Sequence, residues 1–453
     1  MKDLLLDAAD RSARYLEGLP DRRVAPLPDA VARLHALGGK FPQAPCDPRE
    51  VIALLDQIGS PATVATSGGR YFGFVIGGSL PAALAANWLA AVWDQNAGLS
   101  VTSPVAAKLE EVVLAWILDV LGLPAESGAG FVTGTTMANF SALAAARTAL
   151  LKRAGWDVEE KGLFEAPPIQ VVVGEEVHVS LLKALAMLGL GRSRVVRVPT
   201  DSQGRIIAEK LPQLTASTIV CIQAGNVNTG ACDPAAEICS RAREADAWVH
   251  VDGAFGLWAA VSPHLAHLVR GVAEADSWAI DCHKWLNVPY DSGMAVVRKA
   301  EHLRSAMVLS AAYLQTGGTR EPCHYTPEVS RRARGIELWA ALKSLGRDGL
   351  RELIERNCRL ARVFAERLRG AGFEILNQVE LNQVLVSFGS ADETRRVISE
   401  LAKEGTCWCG GTEWHGRSAM RISVSSWATT DEDVERSLAA ILRIAKVNTQ
   451  SRA

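Results

Sequence analysis

The sequence has little net charge and no long hydrophobic run. Its 48 Lys and Arg residues nearly balance its 50 Asp and Glu residues, and the formal charge of −2 gives no electrostatic surface for nucleic acid or an anionic membrane. The longest weakly polar stretch, residues 79–93, is interrupted by Pro81 and Asn87, whereas a bilayer-spanning helix needs about 20 apolar residues. No repeat of fixed period is visible. These absences argue against a nucleic-acid-binding or membrane-spanning protein.

The remaining composition is that of an ordinary soluble globular protein, with 48% apolar and 22% charged residues. At about 100–200 residues per domain, 453 residues predict two to four domains. Asp3, Asp7 and Asp10 interrupt the apolar N-terminus, which is not the pattern of a secretory signal. Nine cysteines, an odd number spread from Cys46 to Cys409, are typical of reduced thiols, so we expect a cytoplasmic protein.

The pattern of apolar residues divides the chain into three parts. Residues 1–80 combine a helical pattern with many prolines and have little core of their own, which predicts packing on a larger body or a second subunit. Residues 81–345 alternate apolar strands with helices, as in a mostly parallel sheet covered on both faces. Residues 346–453 predict a small α+β domain. Residues 316–327, rich in Gly, Pro and mixed charge, predict a mobile loop.

The central part contains most of the predicted elements. Strands are predicted at residues 171–173, 195–198, 219–222, 248–251, 278–280 and 295–297, and helices at 138–153, 179–189, 234–245 and 336–346.

Two motifs offer groups that could hold a ligand. Residues 131–137, FVTGTTM, form a Gly and Thr turn before a helix, and the free backbone N–H groups and hydroxyls of such a turn suit a phosphate. An ordinary helix cap is the alternative. His178 follows the strand at 171–173, where open α/β sheets place their ligands, although a single histidine is more often structural.

Two further strand ends carry charged side chains. Asp252 ends the strand at 248–251, where a carboxylate must be paired or hydrogen-bonded to offset its desolvation, with a helix cap as the alternative. Lys284 closes the strand at 278–280 and can act as an amine nucleophile, unless its side chain simply reaches solvent. About one strand–helix–strand unit separates the two residues, so both can converge on one crevice.

One cofactor uses all four features. Pyridoxal phosphate needs a lysine for its Schiff base, a carboxylate for its pyridine nitrogen, an anion cradle for its phosphate and a flat group against its ring. Lys284, Asp252, the turn at residues 134–137 and His178 fill these roles in that order.

The sequence resembles the group II pyridoxal-phosphate decarboxylases, which include aromatic amino acid, glutamate and tyrosine decarboxylases. The resemblance rests on His250-Val-Asp252-Gly-Ala254 and His283-Lys284-Trp285, with His178 upstream. It extends to the segments at 225–234 and 330–334 and covers most of the chain. It departs where Asn226, Val227 and Asn228 replace the usual threonines, and where Met137 replaces a frequent serine.

The resemblance implies an α/β fold of the aspartate-aminotransferase type (fold type I). This fold has a mostly parallel seven-stranded sheet in a large domain, a small C-terminal α+β domain and an N-terminal segment that packs in a dimer. It also implies that His178 stacks on the cofactor ring, Asp252 pairs with the ring nitrogen and Lys284 forms the Schiff base. The remaining cofactor-binding residues it implies are Thr135, Thr136, Met137, Asn226, Ala254 and His283. A tyrosine on a mobile loop would donate the proton at Cα; Tyr325 is the expected donor and His324 the second candidate, while Tyr313 precedes the loop. The alternative for Tyr325 is a loop aromatic that closes over the site without donating a proton.

We therefore expect a cytoplasmic homodimer that uses pyridoxal 5′-phosphate to decarboxylate an L-amino acid to the amine and CO2. Its partner is a small-molecule amino acid, and neither nucleic acid, membrane nor metal is expected; Cys407 and Cys409 lack a second pair at zinc-ribbon spacing. The alternatives are a carbon–carbon lyase, a decarboxylating aldehyde synthase or an aminotransferase on the same scaffold, or a binding protein without activity. The sequence does not identify the amino acid.

Overall fold

The computed structural model describes residues 1–308 and 320–446. The α-helices are α1 (Lys2–Glu17), α2 (Pro28–Ala32), α3 (Pro48–Leu54), α4 (Ser60–Ala62), α5 (Pro81–Trp93), α6 (Pro104–Leu121), α7 (Thr135–Arg153), α8 (Val158–Lys161), α9 (Val179–Met187), α10 (Ala235–Glu244), α11 (Ala300–Met307), α12 (Gly335–Gly370), α13 (Ala391–Glu404) and α14 (Asp431–Lys446). The strands are β1 (Gly128–Val132), β2 (Gln170–Gly174), β3 (Val196–Val198), β4 (Thr218–Gln223), β5 (Trp248–Asp252), β6 (Ser277–Asp281), β7 (Gly293–Val297), β8 (Glu374–Ile375), β9 (Gln383–Ser387), β10 (Gly410–Trp414) and β11 (Arg417–Ser423). None of these helices is long and apolar enough to cross a membrane.

Seven strands form one large sheet in the order β1-β7-β6-β5-β4-β2-β3. Five strands, β6, β5, β4, β2 and β3, run parallel to one another. Strand β7 is antiparallel to both of its neighbours, β6 and β1. All strands except β7 therefore end at the same edge. The predicted α/β fold with a mostly parallel seven-stranded sheet is confirmed, and the six strands predicted from the sequence are all present, while β1 was not predicted.

Helix α7 packs closely on the large sheet. Its sequence is rich in alanine and is buried along most of its length, which allows the helix axis to approach the strands. Leu143 and Ala146 of α7 belong to one apolar core with Val173, Ala279 and Val297 of the strands. This packing fixes the start of α7 at the carboxyl edge of β1.

The chain divides into two compact units. One unit comprises residues 1–78, 362–376 and the chain from residue 384 on; the other comprises residues 79–361 and 377–383. The second unit contains the whole seven-stranded sheet, and the first contains most of a four-stranded sheet in the order β10-β11-β9-β8.

This division differs from the three parts predicted from the sequence. Main-chain hydrogen bonds join the N-terminal segment to the C-terminal residues: Phe72 N donates to Trp408 O (2.8 Å) and Trp408 N donates to Arg70 O (3.1 Å). The boundary between the two units lies within α12, which continues past the non-helical backbone of Gly346, whereas the sequence predicts a division at residues 345–346.

In the C-terminal part the sequence predicts a helix at 348–370, strands near 373–376, 384–388 and 421–424, and a helix at 431–445. All five are present, whereas α13 and β10 were not predicted. Helix α13 begins at Ser390, whose hydroxyl accepts a hydrogen bond from the backbone N–H of Glu393 (3.2 Å). Ser followed three residues later by Glu is a recognised helix-start signal, so the sequence did contain the information for α13.

The mobile loop expected at residues 316–327 is only partly described, because residues 309–319, with Tyr313, lie outside the described residues. The following residues, Pro322–Tyr325, form a 3-10 turn that is mostly buried against β1. The turn packs so tightly that a Cβ on Gly130 would lie 1.9 Å from the Tyr325 carbonyl oxygen. The structure thus gives this part of the segment a packed turn, which β1 accommodates with a glycine at the point of approach, and the mobility of the loop stays a prediction.

Candidate active site

Four strand ends meet at the carboxyl edge of the large sheet. Strand β1 leads into the turn at Gly134, β2 is followed by His178, β5 ends at Asp252, and β6 ends at Asp281, three residues before Lys284. Because these strands run in the same direction, the structure brings the residues predicted from the sequence to one edge.

The first turn of α7 provides the predicted anion-binding groups. Two glycine backbones touch here: Gly134 has a φ of 154°, and a Cβ on Gly293 would lie 2.6 Å from the Gly134 Cα. The backbone N–H groups of Thr135, Thr136 and Met137 belong to the helix start, where no intrahelical partner is available. The Thr135 hydroxyl oxygen is buried and has no hydrogen-bond partner among the described residues. A helix N-terminus with an unused buried hydroxyl is suited to a phosphate group.

Asp281 joins this helix start to the lysine. The Thr135 N–H donates to Asp281 Oδ1 (2.6 Å), and Lys284 Nζ lies 2.8 Å from Asp281 Oδ2. Burial raises the pKa of the Asp281 carboxyl, but the Lys284 charge, the interaction with His283 and the hydrogen bonds from Lys284 and Thr135 outweigh it and leave the pKa below its usual value. Sequence reasoning missed Asp281, although an aspartate at a strand end three residues before the lysine was a usable signal.

His283 presents one ring N–H to the same place. Its Nδ1 accepts a hydrogen bond from the Ser292 N–H (3.1 Å), so the neutral ring carries its proton on Nε2. Nε2 lies 3.5 Å from Asp281 Oδ1, and the Tyr290 ring stacks on the imidazole at a centroid distance of 4.2 Å. Burial, assisted by the Lys284 charge and opposed by Asp281, lowers the pKa of His283. His283 is therefore a neutral donor beside the start of α7.

Asp252 is a buried carboxylate at the end of β5. Its Oδ1 accepts a hydrogen bond from the Ala254 N–H (3.3 Å), and its Oδ2 accepts one from Asn139 Nδ2 (3.3 Å). Among the residues that the structure describes, no cationic side chain lies within ion-pair distance of it. A buried carboxylate without a counter-ion is suited to a ligand that brings a positive N–H group. The Ala254 carbonyl accepts the Asp281 N–H (3.1 Å), which links the ends of β5 and β6.

Asn226 and His178 are held by local hydrogen bonds. Asn226 is buried, and its Oδ1 accepts hydrogen bonds from Asn228 N (2.9 Å) and Thr229 N (3.2 Å). In the part of the chain that the structure describes, its buried Nδ2 has no hydrogen-bond partner. His178 Nδ1 lies 2.7 Å from the Ser180 hydroxyl and caps the start of α9. The Asn226 side-chain amide can therefore donate to a ligand. His178 has a structural role as the cap of α9 and also lies at the carboxyl edge of the sheet.

Tyr325 is not placed with these residues. Its ring lies over the Arg320 guanidinium (4.6 Å) and 3.5 Å from the position of a Cβ on Gly128, the first residue of β1. His324 is in the same turn, and burial lowers its pKa. Since the carboxyl edge lies at the other end of β1, neither side chain reaches Lys284 of the same chain.

The residues at the sheet edge fit pyridoxal 5′-phosphate. The unused Thr135 hydroxyl and the α7 N-terminus suit its phosphate, and the unused Asn226 amide suits its hydroxyl. The carboxylate of Asp252, which lacks a counter-ion, suits its protonated ring nitrogen, and Lys284 supplies an amine for its aldehyde.

Comparison with known proteins gives the same cofactor. The profile described as "Pyridoxal-dependent decarboxylase conserved domain" matches residues 41–390. The chain is 25% identical to aromatic-L-amino-acid decarboxylase of Bacillus atrophaeus, over 95% of this chain and 93% of that protein. It is 30% identical to phenylacetaldehyde synthase of a Rosa hybrid cultivar, over 64% of this chain and 59% of that protein. The solved structure of Oryza sativa TDC with PLP and tryptamine superposes with a TM-score of 0.90 at 23% identity, over 98% of this chain and 97% of that one.

Proposed function

The chain belongs to the family of pyridoxal-dependent decarboxylases, and from this premise we propose that it converts an L-amino acid to the amine and CO2, with Lys284 as the residue that binds the cofactor's aldehyde. The cofactor is pyridoxal 5′-phosphate, and the family's enzymes are carboxy-lyases. When bound, the cofactor supplies an electron sink for the pair of electrons left at Cα when the carboxylate departs.

The observation that carries the proposal is the position of Lys284. Its amine lies 2.8 Å from the buried carboxylate of Asp281, beside the N-terminus of α7, and the next strand along the sheet ends at Asp252. Lys284 would therefore hold the aldehyde of a cofactor whose phosphate would be held at the start of α7. Asp252 can then hold the proton of the ring nitrogen, and the N–H of His283 can donate to the phosphate.

The reaction has a simple balance that an assay can follow. Loss of CO2 leaves an electron pair at Cα, and one proton must be taken up there to give the amine. The decisive experiment incubates the purified protein and pyridoxal 5′-phosphate with each common L-amino acid and measures CO2 and amine together. Equal amounts of the two products from one amino acid support the proposal.

Two other products would contradict it. An aldehyde with ammonia and hydrogen peroxide would indicate an aldehyde synthase, a reaction class present among the relatives. A keto acid without CO2 would indicate an aminotransferase. In the same assay Lys284→Ala should form amine at least about a thousand-fold more slowly than the wild type, because it lacks the residue that binds the cofactor covalently. Lys299→Ala, an exposed lysine at the start of α11, is the matched control and should keep the wild-type rate.

We also propose that the enzyme is a cytoplasmic homodimer. All nine cysteines are free thiols, which suits a reducing compartment. The N-terminal helices α1 to α4 contain no buried residue, so their apolar side chains are available to a second copy of the chain.

A further inference from the structure

Three polar side chains lie in a row on one face of β5. Trp248, His250 and Asp252 alternate along the strand, so their side chains point to the same face, and all three are buried. Consecutive members of the row are about 6.6 Å apart along the strand, which is too far for a direct hydrogen bond. Each gap therefore needs a bridging group.

Two residues from neighbouring elements bridge these gaps. Ser277, the partner of His250 in the β5–β6 ladder, has its Oγ 2.9 Å from Trp248 Nε1 and 2.9 Å from His250 Nδ1. Asn139 of α7 has its Oδ1 2.9 Å from His250 Nε2 and its Nδ2 3.3 Å from Asp252 Oδ2. A continuous hydrogen-bonded chain thus runs from Trp248 to Asp252; we call it the buried relay.

The chemistry of its two ends fixes the direction of every hydrogen bond. The carboxylate of Asp252 can only accept, so Asn139 must turn its amide N–H towards it and its oxygen towards His250. His250 Nε2 must then donate, which leaves Nδ1 to accept the Ser277 hydroxyl proton. Trp248 can only donate, and it donates to Ser277. Every donor in the buried relay therefore points towards Asp252.

A neutral His250 is required for this arrangement, and the structure provides one. Burial lowers the pKa of His250 to about 3, so the ring carries one proton near neutral pH. Since Nδ1 accepts from Ser277, that proton is on Nε2. The relay begins at Trp248, and its last hydrogen bond, from Asn139 Nδ2, reaches Asp252 Oδ2.

We propose that Asn139, His250, Ser277 and Trp248 are positioning residues that orient the carboxylate of Asp252 against the ring nitrogen of pyridoxal 5′-phosphate. They act through Asp252 and do not touch the cofactor. A chain of hydrogen bonds whose donors are all directed towards one carboxylate stabilises the negative charge of that carboxylate and restricts the rotation of its side chain. The inference rests on the cofactor site and not on which reaction the enzyme catalyses.

The test compares two ligands that differ only at the ring nitrogen. Apo-protein is titrated with pyridoxal 5′-phosphate and with its 1-deaza analogue, in which a C–H group replaces that nitrogen. Loss of a hydrogen bond to a charged group predicts a Kd for pyridoxal 5′-phosphate about ten-fold higher in Asn139→Leu. The Kd of the deaza analogue should stay within about two-fold of wild type, because this ligand has no ring N–H for Asp252 to hold.

A more distant change separates positioning from packing. Ser277→Ala removes the hydrogen bond to His250, and two further hydrogen bonds separate His250 from Asp252. This change should raise the Kd of pyridoxal 5′-phosphate by about three-fold. Ser277→Thr keeps the hydroxyl and should restore the wild-type Kd. Ser141→Ala is the matched control: Ser141 lies on α7 with Asn139 and is fully buried, but no described residue forms a hydrogen bond with its hydroxyl. It should leave the Kd of both ligands unchanged.

Several outcomes would overturn the inference. An equal increase in the Kd of both ligands in Asn139→Leu or Ser277→Ala would show a purely structural role for the relay. An unchanged Kd for pyridoxal 5′-phosphate would show the same. Thermal unfolding of each apo-variant separates lost stability from lost affinity, and Ser277→Ala still provides the test if Asn139→Leu does not fold. Wild-type protein that binds the cofactor but forms no amine would contradict the proposed function and leave this inference standing.

Discussion

Asp281 gives the candidate site its local order. One buried carboxylate binds the Thr135 N–H at the start of α7 and the Lys284 amine, and lies close to the ring of His283. The helix start, the lysine and the histidine therefore keep a common geometry, because moving any of them leaves a buried charge without its partners.

Tyr325 provides a test at the residue scale. Its ring lies at the first residue of β1, about 15 Å of strand away from the carboxyl edge. We therefore expect Tyr325→Phe to form amine within about two-fold of the wild-type rate, since a phenol at that distance cannot protonate Cα in the site of its own chain. The measurement is the ratio of amine to CO2 over a full time course. If Tyr325→Phe releases CO2 but accumulates a carbonyl product, Tyr325 is the proton donor and the expectation is wrong. Tyr313→Phe is measured in the same assay for comparison.

His250 predicts a dependence of stability on pH. Burial lowers its pKa to about 3 in the folded protein, whereas an unfolded histidine has a pKa of about 6.5. The unfolded chain takes up this proton as the pH falls below 6.5, and the folded protein does not until about pH 3. The free energy of unfolding should therefore fall with decreasing pH in this range, by on the order of 1 kcal/mol per pH unit from this group.

Urea unfolding at pH 7 and pH 5 measures this effect. His250→Gln, which cannot take up the proton, should lose less stability between the two pH values than the wild type. An equal loss in both proteins would show that other groups cause the acid sensitivity.

At the scale of elements, α6 is anchored by a buried charge. Glu110 lies 2.6 Å from the guanidinium of Arg331 and 3.2 Å from that of Arg320, and the Glu110 and Arg331 side chains are each 1% exposed. We expect Glu110→Gln to lower the free energy of unfolding by about 3–5 kcal/mol, because the change leaves a buried guanidinium without its counter-charge. The measurement is urea unfolding followed by tryptophan fluorescence.

The same helix offers a matched control. Asp119 of α6 pairs with Arg347 at 2.6 Å, but both side chains are more than half exposed. Asp119→Asn should change the free energy of unfolding by less than about 1 kcal/mol. Similar losses in the two variants would mean that burial does not decide the strength of these pairs.

At the scale of the whole molecule, the N-terminal helices predict association. Leu5 and Leu6 of α1 are about half exposed, and no residue of α1 is buried. We expect sedimentation of the full chain to give twice the 48.5 kDa of one copy. Burial of the two leucines contributes to the free energy of dimerisation, so the double variant Leu5→Asp with Leu6→Asp should raise the Kd of the dimer by about a hundred-fold.

A comparable change outside these helices is the control for that experiment. Phe164 is 92% exposed, and Phe164→Asp should leave the sedimentation coefficient unchanged. A wild-type chain that sediments as a monomer while forming amine would contradict the homodimer.

The sequence by itself determined the large sheet and the residues at its carboxyl edge. Strands rich in Val and Ile and a glycine turn before a helix are encoded by near neighbours, so Gly134, His178, Asp252 and Lys284 could be placed at strand ends without tertiary contacts. Strand β1 was missed because Gly128 and Gly130 weaken its local pattern; both positions need glycine because Ala300 and Tyr325 pack against them.

Only the tertiary structure decided which of these residues act together. The hydrogen bonds of Asn139 join residues 111 and 113 positions apart, and the bond between Thr135 and Asp281 spans 146. No local pattern specifies such contacts, since they depend on how α7 packs across β5 and β6. For the same reason the sequence left Tyr325 on a mobile loop, whereas the packing of its turn against β1 places it at the far end of that strand.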